Sequence, residues 1–137
     1  VPAQLVEQRI RNRIIEELEL LASEKEQIDY QENVVIADVF AELFEGWDDW
    51  VTEGSIRENF KPPFFSEEEI EAIEILDERI DTIFDSIPEE NKVLHKFIGT
   101  PQWNELKTEA EKWLPVFMER GKMPEEELIK FNTEQNG

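Results

Sequence analysis

Residues 66–87 read SEEEIEAIEILDERIDTIFDSI, and this stretch decides the predicted fold. Apolar residues recur along it at three- and four-residue steps, a spacing that places them on one side of an α-helix. Ser66 followed three residues later by Glu69 predicts a capping box at the helix start. The apolar side consists of Ile70, Ile73, Leu76, Ile80, Ile83, Phe84 and Ile87.

Acidic residues recur at the same steps on another side of this helix. Like charges at such steps oppose helix formation by about 0.2–0.5 kcal/mol per pair. The row itself contains no Lys or Arg, which favours a surface shaped for a cationic partner over a merely solvated face. Its members are Glu67, Glu71, Glu74, Glu78, Asp81 and Asp85.

A second helix with the same arrangement is predicted from Glu32 to Glu53, with Gly54 as its stop. Gly46 lies inside it, where a glycine lets a neighbour approach closely. Its apolar side is Ile36, Val39, Phe40, Leu43, Phe44, Trp47, Trp50 and Val51, with Trp50 at the edge of the core. Its acidic side is Asp38, Glu42, Glu45, Asp49 and Glu53.

The rest of the chain also shows helical rather than alternating periodicity. We expect an all-α single domain over residues 1–131, with five or six helices and a disordered tail at 132–137. The further helices are predicted at 2–23, 88–98, 101–121 with a kink at Pro115, and 124–131. Residues 24–31 are expected to form a polar connection or a frayed extension of the first helix.

Two groups of residues have alternative interpretations. Arg9, Arg11 and Arg13 are expected to form surface ion pairs with Glu16, Glu17 and Glu19, rather than to bind nucleic acid. The prolines at 62 and 63 exclude a helix, so the neighbouring aromatic side chains either fold back over the core, which we favour, or are displayed to a partner. Those side chains are Phe60, Phe64 and Phe65.

The charge is concentrated in the middle of the chain. The net charge is −20, and residues 31–91 hold 19 acidic and 3 basic groups, whereas residues 92–137 hold 8 and 7. Such a charge repels nucleic acid and anionic membranes. No apolar run approaches the roughly 18 residues of a membrane span, and the absence of Cys fits a cytoplasmic protein.

No catalytic set, cofactor site or metal site is predicted. His95 is the only histidine, and a lone histidine between Leu94 and Lys96 is typical of a surface residue. One enzymatic alternative depends on carboxylate spacing. All-α nucleoside triphosphate pyrophosphohydrolases of the MazG type hold Mg²⁺ through Glu-Glu-x-x-Glu on one helix and Glu-x-x-Asp on the next. Here both spacings fall on one helix, at Glu67, Glu68 and Glu71 and at Glu74–Asp77 and Glu78–Asp81.

The sequence therefore predicts a non-enzymatic acidic protein that neutralises a basic protein by occlusion. Bacterial immunity proteins and antitoxins directed against nuclease toxins have this size and charge, and proteins that mimic DNA are a further alternative. Trp50 and Phe60 are the expected aromatic anchors. The predicted partner-binding residues are Asp38, Glu42, Glu45, Asp49, Trp50, Glu53, Glu71, Glu74, Glu78, Asp81 and Asp85.

Overall fold

The computed structural model describes residues 2–51 and 56–131, and within these ranges the chain is helical and contains no strand. The predicted all-α single domain is confirmed, with slightly more helices than expected. The described residues form seven α-helices: α1 (Ala3–Leu21), α2 (Glu24–Asn33), α3 (Val39–Trp50), α4 (Ile56–Asn59), α5 (Glu67–Asp85), α6 (Leu94–Phe97) and α7 (Pro101–Met118).

The core lies between α1, α3, α5 and α7, where α1 packs against α3 and α7, and α5 packs against α7. Trp47 is 1% exposed, as its position on the apolar side of α3 predicts. The three phenylalanines of the proline-containing segment are buried, which confirms that this segment folds back over the core. Phe60 therefore cannot act as an exposed anchor, and this part of the prediction was wrong.

Helix α5 begins where the sequence predicts. The Ser66 hydroxyl accepts a hydrogen bond from the Glu69 backbone N–H, and the Glu69 side chain returns one to the Ser66 N–H. Helix α7 begins in the same way, with Thr100 Oγ1 accepting from the Trp103 N–H. It continues through Pro115 to Met118.

The polar connection expected at 24–31 is instead helix α2. Ser23 adopts an extended backbone conformation and caps the new helix by accepting from the Glu26 N–H. Gln27 is buried, and its side chain donates to the Leu20 carbonyl and accepts from Trp103 Nε1. A capping serine thus divides what looks like one helix and its frayed end into two helices.

The single helix predicted at 32–53 was also wrong at its start. The chain leaves α2 after Asn33 and enters α3 at Val39, because Asp38 caps the Ala41 N–H and the Gln31 side chain bonds Ala37 and Val39. Ile36, expected on the apolar side, is 95% exposed in the connection. The stop predicted at Gly54 and the tail at 132–137 lie outside the described residues.

Two C-terminal helices differ from the prediction. Residues 88–98 form a single 3₁₀ turn and the four-residue α6. Residues 124–131 are not helical, because side chains of α1 bind their backbone in place of helical hydrogen bonds. Gln8 Nε2 donates to the Pro124 and Glu127 carbonyls, and Arg9 Nε donates to the Glu125 carbonyl.

The expectation that Arg11 forms a surface ion pair was wrong. Arg11 is 0% exposed and makes a two-point contact with Glu69, through Nε at 3.2 Å and Nη2 at 2.8 Å. Its remaining donors bind the Gly121 and Phe117 carbonyls. Arg13 does pair with Glu16, and Arg9 with Glu126. The buried guanidinium therefore ties α1 to α5 and to the end of α7.

Candidate functional site

Helices α3 and α5 face each other across an open groove of about 740 Å³, called here the acidic groove. Carboxylates of both helices line its walls, so it unites part of the two acidic rows that the sequence predicts. The wall residues are Glu45 and Asp48 on α3, Asp77, Glu78 and Asp81 on α5, and Asp38 at the start of α3.

The floor of the acidic groove is aromatic. The rings of Phe44 and Phe84 lie 4.9 Å apart, and those of Phe40 and Phe84 lie 6.4 Å apart. Trp47 Nε1 donates to Asp77 Oδ1 at 2.9 Å, which holds this carboxylate at the edge of the floor. An apolar floor between charged walls can pack the alkyl part of a lysine or arginine while its charged end meets a carboxylate.

The electrostatics of the groove follow from its crowded carboxylates. Partial burial raises the pKa of Asp48, and the negative charges of Asp77 and Asp81 across the groove raise it further. Lys92 also lines the groove, but its Nζ lies 4.6 Å from the Phe84 ring centroid and 3.1 Å from Glu89. The walls therefore carry an excess of negative charge that a cationic ligand would relieve.

Only some of the predicted partner-binding residues lie in the groove. Asp38, Glu45, Glu78 and Asp81 line it, although the Asp38 side chain also caps α3. The prediction did not name Asp48 and Asp77 as partner-binding residues. Each follows an acidic residue by three positions, at Glu45 and Glu74. This spacing was a usable signal, but only the tertiary arrangement shows which side of each row meets the other helix.

The remaining predicted residues lie elsewhere. Glu74 is held by Arg57, which also binds Glu67, so a cation from α4 interrupts a row that looks unbroken in sequence. Glu71 and Asp85 are exposed outside the groove. Trp50 is 39% exposed and does not line it, and Glu53 lies outside the described residues.

An apolar pocket of about 800 Å³ adjoins the groove and shares Asp38 and Lys92 with it. Ile28, Val93 and Ile98 contribute to its lining. The connection before α3 displays Val35 and Ile36 to solvent, at 79% and 95% exposure. Exposed apolar side chains beside a charged groove are typical of a protein-binding surface.

Two carboxylates of α3 lie on the opposite flank, toward α1. Glu42 and Asp49 are exposed there, and they raise the pKa of Glu17 beneath them. Burial is the larger cause, and together these effects raise the pKa of Glu17 to about 8. The acidic row of α3 is thus divided between two flanks of the helix.

The carboxylates and the histidine within residues 2–51 and 56–131 were compared with the arrangement that a metal ion needs. No group of three or more Asp, Glu or His side chains in these ranges is arranged to hold a metal ion. His95 is exposed, as predicted. The carboxylates at Glu-x-x-Asp spacing on α5 have different surroundings. Glu74 binds Arg57, Asp77 accepts from Trp47, and Glu78 and Asp81 line the groove.

Comparisons of this chain with models of protein families, with curated proteins and with solved structures found no match. Within the described ranges, none of the helices combines the length and apolar character required to cross a membrane.

Proposed function

We propose that this chain is a non-enzymatic binding protein that neutralises a basic protein by occlusion, as immunity proteins and antitoxins do against toxins that act on nucleic acid. The single observation that carries the proposal is the acidic groove, whose carboxylate walls stand over an aromatic floor. Enzymes that act on nucleic acid bind phosphates with Lys and Arg, and these are the side chains that such a groove accommodates.

The occupant is a cationic segment of the partner, and not a second copy of this chain. A net charge of −20 makes two copies repel each other, whereas it attracts a basic surface and accelerates the encounter. The neighbouring apolar pocket offers a place for one apolar side chain of the same partner, which would add affinity that exposed ion pairs do not supply.

Obtaining the partner is the first stage of the test. The chain is immobilised, lysate of the native host is applied at low salt, and bound protein is eluted by a salt gradient and identified by mass spectrometry. We expect a basic protein at a ratio near one to one, released as the salt concentration rises. Its nucleic-acid cleavage should then be blocked by an equimolar amount of this chain.

The second stage compares two variants of equal net charge. Glu45→Lys with Glu78→Lys reverses two groove walls, and Glu71→Lys with Asp85→Lys reverses two exposed charges outside the groove. The groove variant should associate more slowly, with a smaller salt dependence, and the control should remain close to wild type. If association slows equally in both variants, the interaction depends on overall charge and not on the groove. Unchanged binding in the groove variant would refute the proposal.

The second candidate is the Mg²⁺-dependent pyrophosphohydrolase, and the groove matches its pattern only in part. Glu-x-x-Asp spacings stand on both walls, at Glu45–Asp48 on α3 and Glu78–Asp81 on α5, but the Glu-Glu-x-x-Glu spacing lies outside the groove, and no group of three carboxylates within the described ranges is arranged to hold a metal ion. In this alternative, groove carboxylates would hold Mg²⁺, which would neutralise charge on the substrate phosphates. Release of pyrophosphate from nucleoside triphosphates with Mg²⁺, lost in Asp48→Asn, would favour this candidate over the inhibitor.

A further inference from the structure

Glu17 is a buried carboxyl group without a complete set of hydrogen-bond partners. It lies near the C-terminal end of α1, is 9% exposed, and its Oε2 atom has no hydrogen-bond partner among the residues that the structure describes. A buried carboxyl oxygen without a hydrogen bond lowers the stability of the fold, so its presence requires an explanation. No stabilising role for it within the fold is visible in its contacts.

Gly46 of α3 creates the space that Glu17 occupies. A Cβ atom at this position would lie 3.0 Å from the Glu17 carboxyl carbon, so any residue larger than glycine would displace the side chain. The glycine in the predicted helix therefore does allow a close approach, as the sequence suggests. The carboxyl group is thus placed directly beside Gly46 of α3.

Glu42 and Asp49 flank this position, one helical turn before and after Gly46, and both are exposed. Their negative charges act on the Glu17 carboxyl group. Two basic side chains that contact acidic residues of α1 are engaged away from Glu17, since Arg13 pairs with Glu16 and Glu125 and Lys122 pairs with Glu16 and Glu19. Three carboxyl groups thus converge on one flank of α3.

We propose that Glu17, Glu42 and Asp49 form an acidic notch that receives one lysine or arginine side chain of the basic partner. This inference rests on the proposed function and adds a second cation site on the flank of α3 opposite the acidic groove. A metal ion fits less well, because no group of three ligating side chains within the described ranges is close enough to hold one. The donors of a flexible cationic side chain can reach separate carboxylates.

Occupation of the notch exchanges a proton for the bound cation. In the free protein at neutral pH, Glu17 carries a proton because burial and the two neighbouring acids raise its pKa to about 8. An entering ammonium or guanidinium favours the ionised form, so the O–H bond of Glu17 breaks and its proton passes to the buffer. Binding is therefore coupled to the release of up to one proton per chain.

Calorimetric titration with an octa-arginine peptide at low salt measures this coupling. At pH 7, the heats in phosphate and in Tris buffers give the number of protons released, because the two buffers have different ionisation enthalpies. We expect close to one proton for wild type and none for Glu17→Gln. The matched control, Glu105→Gln on the exposed face of α7, should release the same number as wild type.

The affinity for the peptide should also depend on pH. From pH 6.5 to pH 8, the wild-type affinity should rise about tenfold, since one proton is released per binding event and each pH unit is worth up to a factor of ten. Glu17→Gln should show no such rise. Glu42→Gln with Asp49→Asn changes exposed residues only and should weaken the pH dependence, which protects the test against a folding defect in Glu17→Gln.

The possible outcomes separate the inference from the proposed function. Peptide binding without proton release, or with equal release in Glu17→Gln, overturns the notch and leaves the acidic groove as the binding surface. No peptide binding at low salt, together with no basic partner from the host lysate, contradicts both. If binding releases a proton but the affinity for the peptide is the same in wild type and in Glu45→Lys with Glu78→Lys, the notch is supported and the groove is rejected.

Discussion

Glu17 and Glu69 are both buried glutamates, yet their environments have opposite effects on their charge. Burial opposes ionisation at Glu69, but hydrogen bonds from Arg11, Arg120 and the Ser66 backbone outweigh it and hold the pKa of Glu69 below its ordinary value. At Glu17 no such donor is present within the described part of the chain, and burial, together with the charges of Glu42 and Asp49, raises the pKa to about 8. Burial alone therefore does not decide the charge of a carboxyl group, and its neighbours do.

The two sites also differ in what they contribute to the fold. Glu69 accepts from Arg11 at 2.8 and 3.2 Å and from Arg120 at 2.9 Å, so it joins α1, α5 and the residues after α7. Glu17 makes no comparable hydrogen bonds to side chains of other described helices, and its ionisation opposes the packing of α1 on α3. One glutamate serves the structure, whereas the other is available for a ligand.

The largest expected effect is the loss of the Glu69 carboxylate. Glu69→Ala should lower the free energy of unfolding by about 3–5 kcal/mol, because it leaves the Arg11 guanidinium buried without its counter-charge. Urea denaturation followed by circular dichroism measures this change. Glu68→Ala, an exposed neighbour in the same helical turn, is the control and should change stability little. A similar small loss of stability in Glu69→Ala and Glu68→Ala would contradict the structural role of the Arg11–Glu69 ion pair.

The next effect is a fall of stability on the alkaline side. The folded protein keeps a proton on Glu17 that the unfolded chain releases near the ordinary pKa of 4.5, so the free energy of unfolding falls as pH rises until Glu17 ionises near pH 8. Between pH 6 and pH 9 the loss should be roughly 2–3 kcal/mol, at 1.4 kcal/mol per pKa unit.

Glu17→Gln removes the ionisable group and should make stability nearly independent of pH over this range. Urea titrations at four pH values for both proteins make the comparison. If the free energy of unfolding of wild type were as independent of pH as that of the variant, the fold would not oppose ionisation of Glu17. The two buried glutamates would then not differ in this respect.

A smaller effect is expected at Gly46. In a Glu17→Ala background, Gly46→Ala should raise stability by about 1 kcal/mol through helix propensity, because the space beside α3 is then empty. In wild type the same change displaces the Glu17 carboxyl group, so the gain should be reduced or reversed. The coupling between the two positions in a double-mutant cycle at pH 6 measures this contact. Additive effects would contradict it.

The smallest effect is expected at Arg57, which binds Glu67 and Glu74 at the surface. Exposed ion pairs contribute little to stability, so Arg57→Gln should shift the urea midpoint less than any variant above. The shift should shrink further in 1 M salt, where the charges of α5 are screened. A midpoint shift comparable to that of Glu69→Ala would show that exposure does not separate the two kinds of ion pair here.

Local signals in the sequence predict much of the fold. The capping box at Ser66, the helix start at residue 101 and the apolar side of α5 are read within a few residues, and all three are confirmed. Helix α2 was missed because residues 24–31 are mostly polar and show no apolar side, and the break before α3 was missed because Asp38 caps a helix within a stretch whose apolar spacing continues across the break. Here hydrogen bonds of single side chains decide the boundaries.

The candidate site was less predictable, because it depends on which sides of distant helices meet. Arg11 and Glu69 are 58 residues apart, and nothing near Arg11 in sequence distinguishes it from the partly exposed Arg13. The repulsion assigned to the acidic row of α5 was overestimated because Arg57 reaches it from another element. The sequence predicts two acidic rows, but the division of α3 between groove and notch arises only in the tertiary structure.

The contact between α1 and the segment after α7 has a consequence for how the chain folds as it is synthesised. The polar side chains of Gln8, Arg11 and Asn12 are buried, and their partners include the backbone of residues 117–129. At about 5–20 residues per second, the ribosome needs several seconds to add those partners. The polar side chains of α1 therefore stay without these partners until residues 117–129 have been added, so α1 cannot complete its packing early in synthesis.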